Sequence, residues 1–114
     1  MSVDIGFLEL ANGKCPYQEW EQTLDATTRG IVRIRINRLR LGNFGDCKSI
    51  QGAQGLHELR IHVGAGYRIY FGKSREVLVI LLCGGSKGTQ TRDIAKAKQY
   101  WQLYKAALKG NQND

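Results

Sequence analysis

The chain contains no run of about 18 apolar residues, the length a membrane-spanning helix needs. Its first residues, "MSVDIGFLEL", carry an acid where a secretory signal needs basic side chains, and they lack the apolar core of one. The expected compartment is therefore the cytoplasm. Cysteine is sparse: Cys15, Cys47 and Cys83 are odd in number and far apart, with no CxxC among them. That pattern favours reduced thiols over disulfides and speaks against a zinc site. No group of carboxylates has the spacing of a two-metal nuclease, and no serine triad stands out. His57 and His62, five apart on an extended segment, point to opposite faces. No metal and no cofactor is expected. Acids are also scarce, with ten Asp+Glu against 17 Lys+Arg, a formal charge of +7. That surplus points to a polyanionic partner such as nucleic acid, an acidic protein or a membrane surface, with solubility as the plainer account.

What is present makes one domain. A chain of 114 residues buries a single modest core, here assigned to residues 1–109, with 110–114 as a frayed tail. "VDIGFLEL" reads as a strand ended by the turn "ANGK". Pro16 then opens a helix with Tyr17, Trp20 and Leu24 at helical spacing. "DATTRGIVRIRINRLRLGN" is ambiguous, because Val32, Ile34 and Ile36 alternate with arginines as in a strand. Its length favours a helix, started by Asp25 or a following threonine and closed by Gly42 or Asn43. Either way Arg29, Arg33, Arg35, Arg38 and Arg40 form a basic stretch with no acid between Asp25 and Asp46. "GNFGDCKSIQGAQG" reads as a glycine-rich loop. The strands "LHELRIHV", "YRIYF" and "EVLVILLC" follow, the last apolar on both faces and so interior. After the loop "GGSKGTQT", a helix capped by Thr91 carries the stripe Ile94, Ala97, Trp101, Tyr104 and Leu108. The order predicts an α+β fold: an N-terminal strand and two helices, then an antiparallel sheet and a C-terminal helix.

The hairpin "LRIHVGAGYRIYFG" carries the chemistry. Leu59, Ile61 and Val63 share one face, and Glu58, Arg60 and His62 the other. A three-residue loop, Gly64-Ala65-Gly66, sets His62 opposite Arg68, Arg60 opposite Tyr70 and Ile61 opposite Ile69. Two arginines side by side repel unless an anion lies between them, and phosphate best matches their forked donors. An ion pair between Glu58 and Arg60 is the bland alternative. Lys87, in the loop before a helix N-terminus, adds a further cation. A site of arginine, lysine, tyrosine and histidine fits RNA cleavage by the substrate's own 2′-hydroxyl, with the arginines stabilising the crowded phosphorus.

"RINRLRLGNFGDCKSI", "LHELRIHVGAGYRIYFG" and "LVILLCGGSKGTQTRDIAKAKQYW" together resemble the RelE/ParE toxin superfamily, in its HigB-like branch of addiction module killer proteins. The likeness runs from Cys15 to Tyr104. It implies the toxin of a type II toxin–antitoxin pair, an mRNA endoribonuclease acting on the ribosome, with a helix-turn-helix antitoxin as partner. It also implies that the stretch before "GNFGD" is the second helix of an N-terminal pair. By position, Arg68 matches the phosphate-stabilising arginine, Arg60 lies near a basic catalytic position, and Lys87 matches the basic residue after the last strand. Tyr70 completes the candidate catalytic set, and Lys48, His62, Arg33 and Arg40 are the candidate RNA-binding residues. The chain departs from the branch at Ser86, where an aspartate is usual. A ParE-like poison of DNA gyrase and a non-catalytic RNA- or protein-binding relative are the alternatives.

Overall fold

Local chemistry sets the helices. Pro16 fixes the first turn of α1 (Pro16–Gln22). The Asp25 carboxylate accepts the Thr28 N–H at 2.7 Å and starts α2 (Ala26–Arg40), so the ambiguous arginine-rich segment is helical. The computed structural model describes residues 2–75 and 77–112. Its strands are β1 (Asp4–Phe7), β2 (Cys47–Ser49), β3 (Leu56–Ile61), β4 (Tyr67–Arg75) and β5 (Leu78–Ser86), and a 3₁₀ turn, Lys87–Thr89, leads into α3 (Gln90–Gln112).

The fold is α+β, built on a five-stranded sheet of order β1-β5-β4-β3-β2. The sheet is mixed rather than antiparallel: β1 runs parallel to β5, with Asp4 paired to Leu78 and Phe7 to Leu81. The chain leaves β1 through two helices before returning, so β1 docks on the far edge of a sheet assembled later in the sequence. β2 is a second departure. Its three residues fall within the stretch expected as loop and pair antiparallel with β3, Cys47 to Leu59.

Both faces of the sheet are covered. Tyr17 of α1, Leu24 of the link between the helices, and Val32, Ile36 and Leu39 of α2 pack on Leu59, Ile61, Ile69, Phe71, Val79 and Leu81. Ala97 and Trp101 of α3 pack on Leu56, Tyr70, Ile80 and Leu82 on the other side. β5 is therefore interior and apolar on both sides, as its unbroken run implies. A bulge between Tyr70 and Phe71 lets Leu82 and Cys83, consecutive residues, both join the α3-side core.

The hairpin register differs from the one expected. Arg60 lies opposite Arg68, Ile61 opposite Tyr67 and Glu58 opposite Tyr70. β3 ends at Ile61, so the connection spans His62 to Gly66 instead of three residues. Gly64 and Gly66 take φ of 54° and 88°, which only glycine adopts without strain. The two-residue shift keeps every side chain on its expected face while changing its partner.

The entry to α3 is also redistributed. Ser86, not Thr91, caps the 3₁₀ turn, exchanging side-chain and backbone hydrogen bonds with Thr89. Thr91 lies in the first turn of α3. The helix then runs past the point where the tail was expected to fray and continues to Gln112; residues 113 and 114 lie outside the described residues.

Candidate functional site

Two rows of side chains cross the sheet on its α3 face. The first is Lys48, Glu58, Tyr70 and Cys83, paired in turn across β2, β3, β4 and β5. The second is Arg60, Arg68 and Gly85, joined at its β2 end by Asp46, whose carbonyl accepts the Arg60 N–H at 2.9 Å. The start of α3 closes over the first row: Gln90 Nε2 donates to Glu58 Oε2 at 2.7 Å. Asp93 sits over Gly85, where a Cβ would collide with its carboxylate, and accepts the Thr89 hydroxyl.

Glu58 is the hub. Its carboxylate is almost fully buried, with Oε1 3.8 Å from Arg60 Nε and 3.7 Å from Arg68 Nη1. These are loose ion pairs, beyond hydrogen-bond length. Arg68 is itself only 11% exposed, and among the described residues its Nε and Nη1 have no hydrogen-bond partner. Directly opposed residues on one face stand about 5 Å apart at Cβ, so two guanidiniums share one carboxylate. The Glu58–Arg60 ion pair, posed by the sequence as the alternative to a phosphate site, is thus present, and Glu58 faces Arg68 as well.

Asp46 ties in two further groups. Its Oδ1 lies 3.7 Å from Arg60 Nε, and its Oδ2 lies 2.6 Å from His62 Nε2. The His62 hydrogen bond, assisted by the Arg60 charge, holds the Asp46 carboxyl below its ordinary range. His62, off the strand and largely exposed, is thus an imidazole oriented by a carboxylate and adjacent to Arg60.

The other expected residues divide. Tyr70 is wholly buried under α3. Its hydroxyl has no hydrogen-bond partner among the described residues; burial, then the nearby Glu58 charge, push its pKa far up. The phenol stays protonated and lies beneath the surface rather than on it. Lys48 is exposed on β2 and, with Glu58, Gln90 and Lys98, lines a groove of about 380 Å³. Lys87 is exposed in the 3₁₀ turn, its N–H bonded to Gly66 O at 3.0 Å, so it borders the same end of the hairpin as Arg68. Arg33 and Arg40 are on α2, which packs against the opposite face. Arg33 pairs with Glu21 at 2.8 Å, which raises its pKa, and Arg40 donates to Asn37 at 3.1 Å. They do not join the Arg60–Arg68 group.

Sequence reasoning missed Asp46, Gln90 and Asp93. Asp46 lies in a glycine-rich segment and meets Arg60 only because β2 forms. Gln90 and Asp93 reach the sheet from a distant helix, and no local spacing signals either. Among the described residues no three His, Cys, Asp or Glu side chains gather in a metal-ligating group, and no helix is long and apolar enough to cross a membrane.

The fold and site thus define an α+β domain with a cross-strand arginine pair at the mouth of its C-terminal helix. No protein-family profile matches the chain. It is 55% identical over 83 residues to a Haemophilus influenzae protein described as uncharacterized, a match covering 72% of this chain and 82% of that protein. The chain belongs to the same family as that protein.

Proposed function

We propose that the protein is the toxin of a type II toxin–antitoxin system, an endoribonuclease that cuts mRNA on the ribosome in the cytoplasm. The observation that carries this reading is the Arg60–Arg68 pair: two opposed guanidiniums on one sheet face that share the Glu58 carboxylate through loose contacts of 3.8 and 3.7 Å. Phosphate is the anion whose geometry best matches the forked donors of paired guanidiniums. Arg68, fixed by burial and Glu58, anchors the scissile phosphate. Arg60, more exposed and flanked by Asp46, meets the charge that develops on the phosphoryl oxygens. The RNA's 2′-hydroxyl is the nucleophile, and DNA, lacking it, is not cut. His62, held by Asp46, is the proton-transfer group best placed beside Arg60. Lys87 and Lys48 add cations along the path of the strand. The charge of +7 and the resemblance to RelE/ParE toxins support the same reading.

Burial of Tyr70 favours a second reading, an RNA-binding relative that does not cleave, because it removes one of the four expected catalytic side chains from the surface. One experiment separates the two. Expression in a bacterial host without antitoxin stops growth and produces cut transcripts, and Arg68→Ala relieves both. Growth arrest with intact transcripts overturns the nuclease reading and leaves binding to RNA, or to DNA gyrase, as the basis of toxicity.

A further inference from the structure

The outer face of α2 has an organisation that the sheet site does not use. Residues three, four and seven apart stack on a helix, so Gly30, Ile34, Asn37 and Leu41 form one line along α2 and its cap. Ile34 and Leu41 are 56% and 66% exposed, among the most exposed large apolar residues described. Gly30 is the odd member. Nothing lies within 4 Å of the place its Cβ would occupy, so packing within the fold does not require glycine there. Glycine in a helix interior is unfavourable relative to alanine. A position that forgoes a side chain in open space leaves room for another backbone to approach.

The flanks of this line are basic. Arg33, largely exposed but paired with Glu21 of α1, stands on one side and Arg38 on the other, and no acid occurs in the sequence between Asp25 and Asp46. Beyond Arg33 the surface descends into a groove of about 420 Å³ between α1, α2 and β1, lined by Glu21, Arg33, Asn37, Arg40 and the half-exposed Phe7.

We infer that this face of α2 docks a protein partner through an acidic amphipathic helix. Small and apolar side chains of the partner cover Gly30, Ile34 and Leu41, and acids meet Arg38 on one flank and the exposed edge of the Glu21-paired Arg33 on the other. Two other occupants fit less well. Nucleic acid satisfies the arginines but gains nothing from an apolar centre line. A second copy of this chain brings like rows of arginine together, because a two-fold contact is self-complementary. The inference is independent of the RNA reading, since Arg60 and Arg68 lie on the opposite side of the sheet.

The test uses the full chain and a fluorescein-labelled synthetic peptide helix with a leucine–alanine stripe flanked by glutamates. Fluorescence anisotropy should show saturable binding that weakens with salt. A peptide with glutamine in place of glutamate should bind at least about tenfold more weakly, and so should the native peptide to Ile34→Asp protein. Gly30→Ala is the decisive variant: it should raise the thermal midpoint of the free protein yet weaken the peptide about threefold or more. Arg68→Ala should leave peptide binding unchanged, keeping this result separate from the RNA reading. The inference is overturned if no peptide binds, or if Gly30→Ala and Ile34→Asp bind it like the native chain. It is equally overturned if an RNA oligonucleotide binds and loses affinity with Ile34→Asp, which makes the face a nucleic-acid surface.

Discussion

Replacing Glu58 with glutamine separates what the carboxylate does for the fold from what it does to the site. Glutamine keeps an acceptor for the Gln90 amide but removes the charge shared by Arg60 and Arg68, 3.8 and 3.7 Å away. Breaking a buried ion pair costs about 3–5 kcal/mol, and the long contacts place this one near 3 kcal/mol. For a domain of this size that lowers the thermal midpoint by roughly 10 °C. Affinity should move the other way. A phosphate on the arginines lies about 7 Å from Glu58, where removing a negative charge relieves about 1 kcal/mol at an effective dielectric between that of protein and water. A non-cleavable RNA oligonucleotide should therefore bind roughly fivefold tighter to Glu58→Gln at low salt, and should restore more of its thermal midpoint than it adds to the native chain. Less stable and tighter-binding is an unusual combination, and it makes the test sharp. Affinity that is unchanged, or that falls together with stability, refutes the idea that Glu58 and phosphate compete for the same two guanidiniums.

The remaining expectations concern packing and titration. Gly72→Ala drives a methyl into the Trp101 ring; chemical denaturation should show a loss of about 2–3 kcal/mol, and an unchanged midpoint refutes the packing account. His57, stacked on Phe71 at 5.3 Å, is held below its ordinary value of 6.5 by burial and then by Lys73. The unfolded chain takes up that proton first, so its contribution is complete above about pH 6.5 and declines as the pH falls below it. Thermal melts across that range should flatten for His57→Gln. Burial pushes the Cys47 thiol up to about 11 and the Cys83 thiol up to about 12. Mass spectrometry after brief iodoacetamide treatment near neutral pH should find label at the half-exposed Cys15 and little at the other two.

The sequence was most legible where the information is local. Pro16 and the apolar stripe of α3 mark their helices directly, length alone tips the arginine-rich segment after Asp25 to helix, and the doubly apolar run of β5 announces an interior strand. The hairpin's faces were readable from alternation, but its partners were not, because a two-residue slip leaves the alternation intact and only the turn geometry decides. β2 is three residues long and sits among glycines, so neither length nor propensity reveals it. The larger error concerns Tyr70 and Glu58. A polar set on one face of a hairpin suggests an open surface, yet the same positions here lie under α3. What buries them is the aromatic stripe far down the chain, which needs a partner on the sheet and finds it there. Asp46 and Gln90 were invisible for the same reason: each acquires its role only through a long-range contact.

The parallel pairing of β1 with β5 has a consequence in time. Asp4 leaves the ribosome well before its partner Leu78, which is synthesised after α1, α2 and three further strands. Until β5 emerges, the nascent chain has an unpaired first strand and an open β4 edge, and only after it do Gln90 and Asp93 follow to fasten the helix over Glu58 and Gly85. The arginine pair thus acquires its final surroundings only after the start of α3 has been made, so the order of synthesis itself delays completion of the site.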